Sequence, residues 1–209
     1  MMIDIYQERT GPGLWGEPWN TLTNAAFFIA AWAAWRFARR RGVRSADVRA
    51  LVALLALIGA GSALFHLFAT EWARLLDVLP ILLFQLLFLW AYGRTVLGAV
   101  GGAGLLAAFF AAAHLCAAHL PHGALNGSLM YAPAWLFLLL LGAYHGLRRL
   151  PGRVSLLAAG GTFTVSLFFR TIDLTWGACL PMGTHFFWHL LNGLTLYLCL
   201  RALIAARAA

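Results

Sequence analysis

The sequence predicts an all-α, polytopic membrane protein: a seven-helix transmembrane bundle with its N-terminus outside and its C-terminus in the cytoplasm. Three observations predict it. Of the 209 residues, 62% are hydrophobic and only 11% charged, whereas a water-soluble domain carries about 25% charged residues and a disordered chain needs low hydrophobicity. Apolar runs of bilayer length, about 17 to 25 residues, recur seven times. The arginines fall in alternate connections, as cytoplasmic loops require.

The runs cover 20–38, 49–69, 74–92, 96–118, 128–147, 154–172 and 184–205. Ahead of the first stands MMIDIYQERTGPG, which lacks a basic region followed by an apolar core and is expected to remain in the mature chain. Between the first and second, RFARRRGVRSADVR carries Arg36, Arg39, Arg40, Arg41, Arg44 and Arg49, the mark of a cytoplasmic loop. Alternating from there puts Arg94, Arg148, Arg149, Arg153, Arg201 and Arg207 on the same side. Twelve of the fifteen basic residues then lie inside, and only Arg9, Arg74 and Arg170 outside. An exterior N-terminus and an interior C-terminus need an odd number of spans, which seven satisfies. Connections are short and no repeat is visible, so residues 1–209 are read as a single domain.

The net charge of +8 comes entirely from arginine, since the chain has no lysine. In so apolar a sequence that charge serves orientation, and the bilayer, not nucleic acid, is the expected partner. Cys116, Cys179 and Cys199 are too few and scattered for a disulfide framework or a cysteine zinc site. The acidic residues show the opposite bias: Asp4, Glu8, Glu17, Glu71, Asp77 and Asp173 map to the outer end and only Asp47 to the inner. A bound cation accounts for that asymmetry, and so does plain solvation of loop carboxylates.

Ionisable groups within a span are costly, by about 2.5–3.5 kcal/mol for Asp on insertion scales, so each needs a partner or a role. The second run carries GAGSALFH, with Ser62 and His66 four apart on one helix face. At about 1.5 Å per residue from Arg49, His66 lies roughly 25 Å along the helix, near the outer boundary. The third run opens RLLDVLP, placing Asp77 at a similar depth. The seventh opens GTHFFWHLLNG, with His185 and His189 again four apart. Three imidazoles suit Zn2+, leaving a fourth position for a water that becomes nucleophilic near neutral pH. Asp77 would then accept a hydrogen bond from that water or from an imidazole, and Ser62 would donate to an oxyanion. Other readings stand beside this one. Histidine pairs also make interhelical hydrogen bonds, and Gly59, Gly61 and Ser62 also permit close packing. Ser62 is a conceivable nucleophile of a serine-type hydrolase, and a closed zinc site would suit a receptor-like, non-enzymatic protein. His114, His119 and His122 straddle a helix end and Pro121 and read as loop histidines; His145 reads as interfacial beside the inner arginines.

The segments GAGSALFHLFATEWARLLDVLP and GTHFFWHLLNGLTLYL together resemble the alkaline ceramidase family, within the wider group of seven-span hydrolases that includes adiponectin and progestin receptor-like proteins. The Ser-x3-His, His-x10-Asp and His-x3-His spacings agree jointly. GEPWNTLTN resembles the family's Glu-x-x-Asn-Thr-x-Ser-Asn stretch, with Glu17, Asn20, Thr21 and Asn24 in the matching places. The resemblance implies that His66, His185 and His189 hold zinc, that Ser62 and Asp77 are catalytic, and that the substrate is a ceramide or other N-acyl lipid cleaved to a fatty acid and a sphingoid-type amine. It also implies a Ca2+ site near the N-terminus, with Asp4, Glu8 and Glu17 as side-chain ligands. Tyr6-Gln7-Glu8 stands where the family has Trp-Cys-Glu, and Asp77-Val78 where it has Asp-Glu. The expected setting is a bacterial inner membrane, with the site facing the exterior, periplasmic side.

Overall fold

The computed structural model describes residues 2–121, 123–176 and 179–208. Its described residues form helices joined by short turns: α1 (Pro18–Thr23), α2 (Ala25–Arg40), α3 (Ala46–Phe68), α4 (Glu71–His119), a 3-10 turn (Ser128–Tyr131) leading into α5 (Ala132–Leu147), α6 (Arg153–Ile172) and α7 (His185–Arg207). The all-helical class is as expected. Among the described residues five helical elements are long and apolar enough to cross a membrane: α3, α4, Ser128–Leu147, α6 and α7.

The 49 residues of α4 are two helices. Gly98 adopts φ 80° and ψ 174°, a conformation essentially confined to glycine. The chain reverses there: a Cβ on Gly93 would meet the backbone of Gly102, although nine residues of continuous helix would separate them by about 13 Å. Splitting α4 at Gly98 and including the 16-residue α2 gives seven helical segments, at the places of the seven apolar runs. The first run, 20–38, is itself divided between α1 and α2. Side chains compete for the ladder at that point: Asn24 Nδ2 donates to the Asn20 carbonyl at 2.8 Å, and Thr23 Oγ1 to that of Trp19 at 2.7 Å.

Close packing of α3 on the first arm of α4 depends on Gly61, which abuts the backbone of Leu76 and Asp77. With lipid outside, association gains little from hydrophobicity and relies on such contacts, as small residues permit. Leu51, Leu55, Ile58, Tyr92, Leu156, Leu200 and Leu203 fill the interior, while Ile29, Trp32, Leu79, Leu82, Leu140 and Leu157 are exposed around the girdle. At the end away from the histidines, Asp47 receives a bidentate pair from Arg207, both contacts 2.6 Å, and Arg207 also donates to Ser45 and Thr95. This clamp joins the start of α3 and the end of the first arm of α4 to the end of α7. His145, expected at the interface, is fully buried between the Tyr92 hydroxyl and the Pro151 carbonyl, at 2.8 and 2.9 Å. The three cysteines are free.

The Gly98 reversal can be tested directly. Gly98→Ala should cost about 1–3 kcal/mol, since the added Cβ has room but the backbone conformation does not suit it. Gly104→Ala, in open space inside the second helical arm, should leave the thermal midpoint of the detergent-solubilised protein unlowered, or raise it slightly. Equal melting of both variants would overturn the reversal.

Candidate metal centre

The site lies at one end of the bundle, where α3 ends and α7 begins. His66 occupies the last turn of α3, which Ala69 terminates in the left-handed region with its N–H on the Phe65 carbonyl. His185 is the first residue of α7. Its position is fixed by Asp173, just past α6: one carboxylate oxygen accepts the N–H groups of Thr184 and His185, at 2.6 and 2.9 Å, and the other accepts that of Gln7. Such a buried carboxylate satisfies orphan donors of the helix start. His189 follows one turn later.

The three imidazoles expected to ligate zinc converge. One ring nitrogen from each lies within 4.8 Å of the others, all three side chains are buried, and this is the only such cluster of potential ligands among the described residues. Their second nitrogens determine what the cluster can hold. His66 Nδ1 meets the Glu17 carboxylate at 2.5 Å, so that nitrogen carries the proton. His189 Nδ1 meets Thr23 Oγ1 at 2.9 Å; the threonine hydrogen is already spent on the Trp19 carbonyl, so His189 is the donor. Both Nε2 atoms are then bare, and they face each other at 3.1 Å. In their neutral forms the two rings aim lone pairs at one another, an arrangement that a cation between them makes favourable. His185 Nδ1 is buried without a hydrogen-bond partner among the described residues. The donor set therefore fits a metal ion.

The N-terminal segment roofs this cluster. Ile3 and Gly13 donate their N–H groups to the carbonyls of Ala69 and Leu67, at 2.8 and 2.7 Å. The Tyr6 ring stacks on His185 with centroids 3.8 Å apart. Glu8 caps α1 through the N–H groups of Trp19 and Asn20, both at 2.8 Å. Glu17 is completely buried against Arg9, Asn20 and His66. Burial pushes its carboxyl up, to about 7, against the downward pull of the Asn20 hydrogen bond and the Arg9 charge.

The expected calcium ligands lie within electrostatic reach of one another. Asp4 is exposed, both Glu8 oxygens cap a helix, and Glu17 holds a histidine and an arginine. The residues here do not fit a Ca2+ site, which needs six to eight oxygens free to coordinate. Ser62 and Asp77 are brought together across the Gly61 contact, near enough for their side chains to interact. Ser62 makes no hydrogen bond to a histidine among the described residues, which disfavours the serine-nucleophile reading. His114 and His119 are exposed far along α4, and His122 lies outside the described residues.

Beneath the site runs an apolar cleft, open at its mouth. Ile58 and Ile81 line it one turn below Ser62 and Asp77, and Trp188 and Asn192 continue it along α7. Arg170 borders it, buried, with its guanidinium over the faces of Tyr131 and Trp188.

The sequence profile of the ceramidase family matches residues 13–143, a stretch that holds Glu17, Ser62, His66 and Asp77. This chain belongs to the ceramidase family. No curated protein matches it. Family membership brings with it amide hydrolysis on ceramide-like lipids, a dependence on metal and a membrane setting. In this ceramidase-family chain the buried histidine triad can hold that metal, and the apolar cleft beside it is of a kind that suits lipid.

Thr23, Asp173, Tyr6, Arg9 and Arg170 escaped the sequence reading. One signal for two of them was present: Arg9 and Arg170 are among the three arginines that break the inner bias, and both are buried at this end, whereas the third, Arg74, is an exposed partner of Glu71. Glu17→Gln should weaken metal affinity about 10–100-fold, the usual effect of losing a carboxylate behind a histidine ligand. Competition with a chromophoric chelator measures it, and an affinity equal to that of the parent would remove Glu17 from the site.

Proposed function

We propose that the chain is a zinc-dependent intramembrane hydrolase that cleaves the amide of ceramide-like N-acyl lipids, yielding a fatty acid and a sphingoid-type amine. The observation that carries the reading is the pair of Nε2 atoms facing at 3.1 Å beside a third buried imidazole. His66, His185 and His189 are the ligands. Zinc, when bound, polarises a water for attack and the amide carbonyl for receiving it.

The remaining steps belong to the chain's own groups. Ser62 has one hydrogen to give, and in the resting site it faces the Asp77 carboxylate. When Asp77 takes the proton of the attacking water, it becomes a donor and Ser62 Oγ its acceptor. The serine hydrogen is thereby released toward the amide oxygen at the moment negative charge builds there. Asp77 then returns its proton to the leaving nitrogen. The acyl chain occupies the cleft between Phe84, Phe88, Phe137 and Phe163. Arg170 lies close enough to act electrostatically on Asp77 and His185, and its charge favours the same developing anion.

Seven spans, with the N-terminus exterior and the C-terminus cytoplasmic, complete the reading. The arginine-rich connections support that orientation, as does the exposed apolar girdle. The site then sits beneath the outer face of a bacterial inner membrane, with residues 1–209 acting as one domain.

Incubation of the purified, zinc-loaded protein with a panel of ceramides should release free fatty acid, followed by mass spectrometry; a zinc-loaded protein that leaves every N-acyl lipid intact would sink the assignment. His185→Ala and His189→Ala should each lose zinc by elemental analysis. Asp77→Asn should keep the metal while turnover falls about 10²–10⁴-fold, and an undiminished rate would take Asp77 out of the mechanism.

A further inference from the structure

Glu17 is a carboxylate with no exposed surface, and a buried carboxylate needs positive charge beside it. In this chain the charge is covalently attached. The Arg9 guanidinium rests on Glu17 Oε1, with both side chains withdrawn from solvent. Three features seat it there. Glu8, the preceding residue, is pinned to the start of α1 by two hydrogen bonds. The Arg9 N–H bonds the Tyr6 carbonyl at 3.2 Å, and the Thr10 N–H that of Gly16 at 3.0 Å, closing the loop that follows. The guanidinium also lies 6.0 Å from the centre of the Phe65 ring, one residue before His66.

Both Glu17 oxygens are taken, Oε1 by Arg9 and Oε2 by Asn20 and His66, so a divalent ion would have to displace the guanidinium to reach that carboxylate. Both Glu8 oxygens accept backbone N–H groups, and the Asp4 side chain is exposed. We propose that Arg9 is a tethered counter-cation that takes the place of Ca2+ at the roof and, through Glu17, positions His66, so that this chain neither binds nor needs calcium. The final link, from Glu17 to a metal-holding His66, rests on the proposed function; the replacement of calcium by Arg9 does not.

The test uses the full chain in detergent, loaded with zinc. Thermal unfolding is followed in buffer freed of Ca2+ by a resin before the protein is added and with Ca2+ at about 1 mM, the range of weak extracellular calcium modules, alongside calorimetric titration with Ca2+. The expected result is the same midpoint in both and no binding heat. A site filled to a hundred times its Kd would raise the midpoint by roughly 5–10 °C in a chain of this size, and that shift, or stoichiometric binding, would overturn the proposal. This measurement needs no variant and no turnover, so a protein indifferent to calcium yet inactive on ceramides fails the functional reading alone. For the positioning role, Arg9→Gln should weaken zinc affinity about 10-fold or more, and Arg9→Lys, which restores the charge, should recover it. Equal loss in both variants, or a lower melting point with zinc affinity intact, would reduce Arg9 to packing and overturn that role.

Discussion

Two imidazole nitrogens that face each other at 3.1 Å in a buried site, their rings neutral and protonated on the far sides, are the constraint around which this molecule is arranged. Left alone they repel. Everything nearby enforces the arrangement: Glu17 and Thr23 hold the protons on the far sides of the rings, Asp173 fixes where α7 starts, and Tyr6 lies flat against His185. Preorganisation of this kind is what a metal-dependent hydrolase requires, since ligands already aligned need no rearrangement at the moment of reaction.

Most of the fold was legible because bilayer solvent writes a coarse signal. Apolar runs of fixed length located every helical segment, even where Gly98 lets two of them join without a separating loop. The triad was legible for a related reason: a histidine in an apolar run is conspicuous, and its depth follows from helix rise. Asp77 and Ser62 stand out in the sequence in the same way, and Gly61 explains why they meet. What escaped lay in short-range polar geometry. Thr23 is an ordinary helix-end threonine until the chain brings it to His189, 166 residues away. The N-terminal carboxylates gave a family-like pattern, but pattern does not reveal which oxygens are already bonded, and here Glu8 serves a helix start.

The two ends of the bundle solve one electrostatic problem in different ways. At the arginine-rich end, Asp47 is paired with a guanidinium arriving from the last turn of α7, partly open to solvent. At the histidine end, Glu17 is paired with a guanidinium from its own neighbourhood and sealed from solvent. The first pairing ties distant helices together; the second supports one imidazole. Breaking a sealed pair leaves a stranded charge, which costs several times more than loss of an exposed one.

The roof of residues 3–17 has a kinetic corollary. Any ion gripped by the triad is shut off from the aqueous phase until the hydrogen bonds of Ile3 and Gly13 part and the Tyr6 ring swings aside. The pace at which a water-soluble chelator strips such an ion is therefore a clock for local breathing of the leading segment, ticking independently of global unfolding.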